Sequence, residues 1–324
     1  MIASMNTPAS KSTEPSAQIV PAPTQPLAAP VESALPPLAA TAEDDSAAEA
    51  IARALAEPAR TAEEAVARPL ILVVHASVGS GHRSAANAIA EALEEAGEAA
   101  RAAGNDNSLE ARSEVRVLDI LDFGRIVFDG DKTASMFTGW TRPFYDLTWR
   151  YTLTGRLLWG GGTIWARLMY PKFTEYVRRL RPAAIVATHI TAANVAVSAR
   201  MITGQSFPIV CVPTDYEAEG LWPHLHTDLF CVANESMAET LRPRRVPEDR
   251  ILITGIPASP AFSRTYDRAE AREAFGLPQD KQVVLALAGA KLPQPYVHFR
   301  AAIGEMLPFM HAMPSIQLVI VAGA

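Results

Sequence analysis

From Pro69 onward the chain alternates short apolar runs with helix-patterned stretches, and that alternation limits its fold more than any other feature. "LILVVHA" from Leu70 leads into the Ala-rich "RSAANAIAEALEEAG". "VRVLDI" follows, then "AAIVATH" with "TAANVAVSARMI", "FPIVCVPTD", "DLFCVAN" with "ESMAETL", and "RILITGIP". Strands that are apolar throughout, rather than alternately, are buried on both faces, and amphipathic helices between them supply the cover. The expectation is an α/β fold on a parallel sheet. A second, shorter series begins after "GIPASPAF": the helix "RAEAREAFG", the strand "QVVLALAGA", a helix from about Tyr296 to Ala312, and "IQLVIVAGA". A βαβ unit of about 50 residues is too small for a complete Rossmann-like domain. The second unit is therefore expected to be incomplete in this chain, as a fragment, a truncated product or a unit completed by a partner.

The segment before Pro69 is different. Residues 1 to about 45 are dense in Pro, Ala, Ser and Thr with almost no aromatic content, a composition that cannot bury enough apolar surface to offset ordering entropy. Residues 46–67 can form helix around Pro58 as a linker. Residues 1–68 thus read as a tail and linker, 69–262 as the first domain and 263–324 as the start of a second. A net charge of −6 argues against nucleic acid as a partner. No apolar run is long enough to cross a bilayer, and the N-terminus lacks a basic region followed by an apolar one, so a cytoplasmic location is expected. Cys211 and Cys231 lie in apolar strand-like runs without metal-ligand spacing and read as core residues of a reduced protein. His224 and His226 form an H-x-H pair with nothing nearby to complete a metal site, and no metal is expected.

Residues 137–179 break the α/β rhythm. They hold Trp140, Trp149, Trp159 and Trp165, four of the five tryptophans, and seven basic residues, Arg150 among them, against only Asp146 and Glu175. Trp favours the headgroup region of a bilayer and cations are drawn to anionic lipid. The segment therefore reads as a membrane-surface contact, with a helical insertion packing its aromatics inward as the alternative.

The residues placed to do chemistry lie where the first strand ends. In "HASVGSGHRSAANAIAEAL" the strand stops near Ala76, Gly79 and Gly81 permit a tight turn, and a helix begins near His82 or Arg83. Unpaired helical N–H groups face the crevice at the carboxyl end of the sheet, where open α/β sheets bind ligands. The spacing matches neither a Walker A loop nor a full G-x-G-x-x-G. A neutral imidazole here can take a proton from an acceptor hydroxyl, or can simply be structural.

Taken with two later blocks, this loop resembles the monogalactosyldiacylglycerol synthase family, which includes bacterial processive diacylglycerol glucosyltransferases and is related to the lipid-II-forming transferase. The later blocks are "VPTDYEAEGLWPHLHTDLFCVANESMAETL" and "VPEDRILITGIPASPAF", and all three keep the family's order across roughly residues 69–262. The resemblance implies a GT-B fold: two facing Rossmann-like domains, the first taking a lipid acceptor and the second, incomplete here, a UDP-sugar. It implies a hexose, galactose or glucose, transferred to diacylglycerol with inversion in glycolipid biosynthesis, by a peripheral enzyme on anionic membrane, with UDP-sugar as co-substrate and no cofactor. The general base falls on His82, with Asp215 to orient it or contact the acceptor. Gly79, Ser80, Gly81, Thr214 and Trp222 form the acceptor-binding set, although packing is the commoner role for such a Trp.

The chain also departs from the family. Glu219 stands where many bacterial relatives have a histidine, "LALAGAKLPQPY" offers only Gly289 where a glycine-rich turn is usual, and the later Gly-Gly-x-x-x-x-Glu donor block is absent. Two other readings follow: a non-catalytic lipid-surface module, and a sugar transferase acting on a different lipid.

Overall fold

The computed structural model describes residues 52–53, 55–77, 80–125, 164–216, 221–287 and 297–321. The expected α/β architecture is present. Six parallel strands, β1 (Leu70–His75), β2 (Glu114–Asp119), β3 (Ala184–Ala187), β4 (Ile209–Cys211), β5 (Leu229–Val232) and β6 (Ile251–Ile253), form one sheet in the order β2-β1-β3-β4-β5-β6. Leu72, Val73 and Val74 are consecutive in β1 and all fully buried, as a strand covered on both faces requires. Helix α1 (Ala62–Ala67) precedes the sheet; α2 (Ser80–Ala102), the short α3 (Leu109–Arg112), α4 (Pro171–Leu180), α5 (Ile190–Thr203) and α6 (Glu235–Leu241) supply the cover. Helix α2 packs on β1 and β2, α5 on β3 and β4, and α6 on β5 and β6.

The local sequence explains these contacts. Ala85, Ala86, Ala88 and Ala90 form the buried stripe of α2; small side chains bring the helix close to the sheet, and Ala has the highest helix propensity. Gly97, further along, meets the carbonyl of Glu110 so closely that a Cβ would lie 2.9 Å from it, which fixes glycine where α2 crosses α3. Helix α5 starts on the side chain of His189 and ends at Gly204, whose φ of 65° is the left-handed stop that glycine adopts freely. The core joins strand residues to Phe123, Tyr170, Phe173, Tyr176 and Leu180, with Phe123 edge-on to Phe173 at 5.3 Å.

Residues 55–68, expected as linker, dock on this core. Thr61 and Glu64 make a reciprocal capping box at the start of α1. The Arg60 amide donates to the Arg179 carbonyl (2.9 Å), the Arg179 guanidinium donates to the Glu57 carbonyl (2.6 Å), and the Glu57 carboxylate pairs with Arg116 at 3.0 Å. Leu55 packs against the core.

The second parallel unit starts where the sequence pattern places it: α7 (Arg268–Ala274), β7 (Gln282–Leu287), α8 (Val297–His311) and β8 (Ile316–Val321), with β7 and β8 paired in parallel. Arg272, buried, donates to the carbonyls of Pro278, Gln279 and Lys281 and so pins the turn between α7 and β7. Ser259 donates to Glu91 of α2 (2.8 Å), tying the connecting segment to the first sheet.

A candidate acceptor site at the sheet's switch point

The strand order dictates where a ligand can sit. The chain leaves β1 toward β2 on one side and returns with β3 on the other, so the carboxyl ends of β1 and β3 flank the point where the connections diverge. Open α/β sheets bind their ligands in the crevice at such a point. The segment after β1 delivers His82 there, the segment after β3 delivers Thr188 and His189, and the segment after β4 delivers Thr214.

These residues are joined. His82 Nδ1 lies 3.0 Å from the Thr188 carbonyl and 2.9 Å from Thr214 Oγ1, and the Thr188 hydroxyl donates back to the His82 carbonyl at 2.9 Å. Thr188 is fully buried, so it holds the loop rigidly on β3. A carbonyl can only accept, so the hydrogen of the neutral imidazole is on Nδ1 and its lone pair is on Nε2. Nε2 has no hydrogen-bond partner among the described residues and is the nitrogen left to accept a proton. Helix α2 starts at Ser80, slightly before the position expected from sequence, so His82 lies in its first turn.

His189 stands edge-on to His82, with ring centroids 4.6 Å apart. Its Nδ1 accepts from the Thr191 amide (3.1 Å) as the N-cap of α5, which requires the lone pair on Nδ1 and places the ring hydrogen on Nε2. Burial, with the nearby imidazoles of His82 and His75 adding to it, pushes His189 down to about 3. A third imidazole, His75 at the end of β1, is buried with its Nδ1 unpartnered and 4.0 Å from Asp119 Oδ2. Burial lowers its pKa, and the Asp119 charge opposes the shift. Asp119 is itself engaged by the hydroxyl of Ser77 and by the Leu121 amide. Asp122, beside it, is pushed up to about 6 by desolvation and by the Asp119 charge. No group of three or more His, Cys, Asp or Glu among the described residues could hold a metal ion. Burial drives the Cys211 thiol up to about 12, which leaves it no nucleophile at neutral pH.

The other residues that the sequence singled out are placed differently, as follows from their burial. Asp215 is exposed, and its carboxylate pairs with no described residue; the group of this loop that meets His82 is the neighbouring Thr214 hydroxyl. Trp222 is 3% exposed and packs edge-on to Phe230, a core position. Its loop is secured by Asn194, which donates to the Leu221 carbonyl at 2.9 Å. Ser80 and Gly81 are exposed in the first turn of α2, with open space beside Gly81. Trp165 is 39% exposed and lies edge-on to Tyr170. Gly79, Trp140, Trp149, Arg150 and Trp159 lie outside the described residues. Thr188, His189, His75 and Asp119 are site residues that the sequence pattern does not single out. The available signal was a polar residue directly after an apolar strand, as in "IVATHIT".

The family model for monogalactosyldiacylglycerol (MGDG) synthase matches residues 82–258, more than half of the chain. The chain belongs to this family. The match begins at His82 and ends in the "GIPASP" block, so it covers the sheet from α2 through β6. A processive diacylglycerol beta-glucosyltransferase of Bacillus mycoides is 28% identical over 120 residues, covering 37% of this chain and 29% of that protein. The enzyme of the same description from Bacillus licheniformis is 28% identical over 127 residues, covering 39% and 33%. The matched stretch thus spans about a third of the length of these relatives. Among solved structures, UDP-GlcNAc 2-epimerase of Neisseria meningitidis bound to UDP-GlcNAc gives a TM-score of 0.43 at 12% identity, covering 78% of this chain and 65% of that one. MurG of Acinetobacter baumannii gives 0.32 at 13%, covering 79% and 67%. These likenesses are too loose to bear on function. Among the described residues no helix is long and apolar enough to cross a membrane.

Proposed function

We propose that the chain carries the acceptor half of a glycosyltransferase that moves a hexose from a UDP-sugar to diacylglycerol at a membrane surface. The observation that carries the proposal is His82, held at the switch point with Nδ1 on the Thr188 carbonyl and Nε2 unengaged. Family membership and relatives described as diacylglycerol glucosyltransferases support the substrate class. In the proposed step His82 Nε2 removes the proton of the diacylglycerol hydroxyl. The hydroxyl oxygen forms a bond to the anomeric carbon from the face opposite UDP, the bond from that carbon to the phosphate oxygen breaks, and UDP leaves with the electron pair. The configuration inverts and no covalent intermediate with the protein forms. A neutral imidazole suits the role, because its unengaged Nε2 lone pair can accept the hydroxyl proton.

Contact with the bilayer has support from the helical residues 164–169. Ile164, Trp165 and Leu168 are exposed there beside exposed Arg167, with Lys172 one turn on, the pattern of an interfacial surface drawn to anionic lipid.

The test is transfer of labelled hexose from UDP-glucose or UDP-galactose to dioleoylglycerol in anionic vesicles by the full-length gene product. Loss of the base is expected to cost roughly a hundred- to ten-thousand-fold in rate. A His82→Ala protein that transfers at the wild-type rate refutes the assignment.

A further inference from the structure

The two imidazoles at the switch point are locked as opposite tautomers. His82 spends its Nδ1 hydrogen on the Thr188 carbonyl and presents a lone pair on Nε2; His189 spends its Nδ1 lone pair on the Thr191 amide and carries a hydrogen on Nε2. The rings touch edge to face, both are partly exposed, and neither Nε2 has a hydrogen-bond partner among the described residues. The crevice therefore offers one acceptor and one donor side by side. We propose that His189 is a specificity-determining positioning residue, whose Nε2–H holds an ester carbonyl of the acceptor lipid while His82 takes the proton of its hydroxyl. The inference rests on the acceptor reading of the site given above.

The chemistry of the acceptor favours this division. Diacylglycerol carries one hydroxyl and, on the next carbon, an ester whose carbonyl is a good acceptor. A hydrogen bond donated to the attacking hydroxyl would draw electron density from its oxygen and weaken it as a nucleophile, so a donor in this place serves the reaction better on the neighbouring carbonyl. Neutrality is enforced as well. A protonated His189 would lose its cap bond to Thr191 and would sit against His82, and burial already disfavours its charged form. It therefore cannot compete with His82 for the proton. A site that hydrogen-bonds a substrate oxygen discriminates against the analogue lacking it, because its own donor is left unpaired.

The experiment is histidine-¹⁵N NMR of the whole chain in detergent micelles, with dioleoylglycerol or with its dialkyl ether analogue, which keeps the hydroxyl and lacks the carbonyls. Without lipid, the hydrogen is expected on Nδ1 of His82 and on Nε2 of His189. His82 Nε2 should shift with both lipids and His189 Nε2 with the ester alone. A His82 response without an ester-specific His189 response overturns the inference and leaves the acceptor reading standing. Silence at both residues overturns both. His189→Asn keeps a capping side chain, so it should fold. It should lose the preference for ester over ether, a change of roughly three- to tenfold in binding for one hydrogen bond. An unchanged preference in that variant also overturns the inference.

Discussion

Acid should destabilise this protein through His189, and the amount can be worked from the site. Folded, the imidazole is held neutral by burial and caps α5 through its Nδ1, with its pKa down at about 3; unfolded, it returns to 6.5. Between these values the unfolded chain binds a proton that the folded one refuses, so stability is present above pH 6.5 and drains away as pH falls. From pH 7 to pH 5 the loss is about 2 kcal/mol. It is set almost entirely by the unfolded value, since the folded group stays neutral throughout. His75, also lowered by burial, adds in the same direction, while Asp122, pushed up to about 6, relieves part of the loss as it protonates. His226, lowered by burial and by the Arg200 charge, adds to the loss as well, so the wild-type curve alone mixes four groups. His189→Asn removes one of them and keeps the cap, so the clean quantity is the difference between the two proteins. Urea unfolding at several pH values between 5 and 7 should show the wild type losing about 2 kcal/mol more than His189→Asn over that range. Parallel curves would refute both the neutral state of His189 and the capping geometry that requires it.

Thr188→Val removes the hydroxyl that donates to the His82 carbonyl while keeping the buried shape. It should cost about 1 kcal/mol in urea unfolding and lower sugar transfer further, whereas Thr188→Ser should restore both. Phe173→Ala empties a fully buried position against Phe123 and should cost about 3–5 kcal/mol, read as a lowered melting temperature in calorimetry. Arg116→Met cuts the ion pairs to Glu57 and Glu114 and the contact with the Tyr176 hydroxyl. It should free residues 55–68 from the core, seen as faster cleavage of that segment in limited proteolysis with the core fragment left intact.

The parts of this structure legible in the sequence are those governed by one-dimensional periodicity. The strand runs, the Ala-rich helix and the second βαβ series fall where burial on two faces or one stripe leaves a mark in residue order. The site obeys a different rule, because its partners are neighbours only through the sheet. His82 and Thr188 are 106 positions apart, and the polar residues that end the strand in "IVATHIT" name no partner until β3 is known to lie beside β1. Asp215 and Thr214 show the limit at its finest. A carboxylate is the more expected partner for an imidazole, yet the chain bends at Asp215 and leaves its carboxylate exposed. The hydroxyl at 214 faces His82, and the carboxylate at 215 faces solvent. The burial of Trp222 is hidden in the sequence for a similar reason, since only the folded sheet brings Phe230 of β5 behind it. What the topology adds is the choice of partner, and that choice carries chemical weight here. A carboxylate on Nδ1 would stabilise charge on His82, whereas the Thr188 carbonyl and Thr214 hydroxyl fix only its tautomer and direction. On this arrangement a charge-removing change at Asp215 should leave the tautomer of His82 where Thr188 sets it, and a change that shifts β3 against α2 should not.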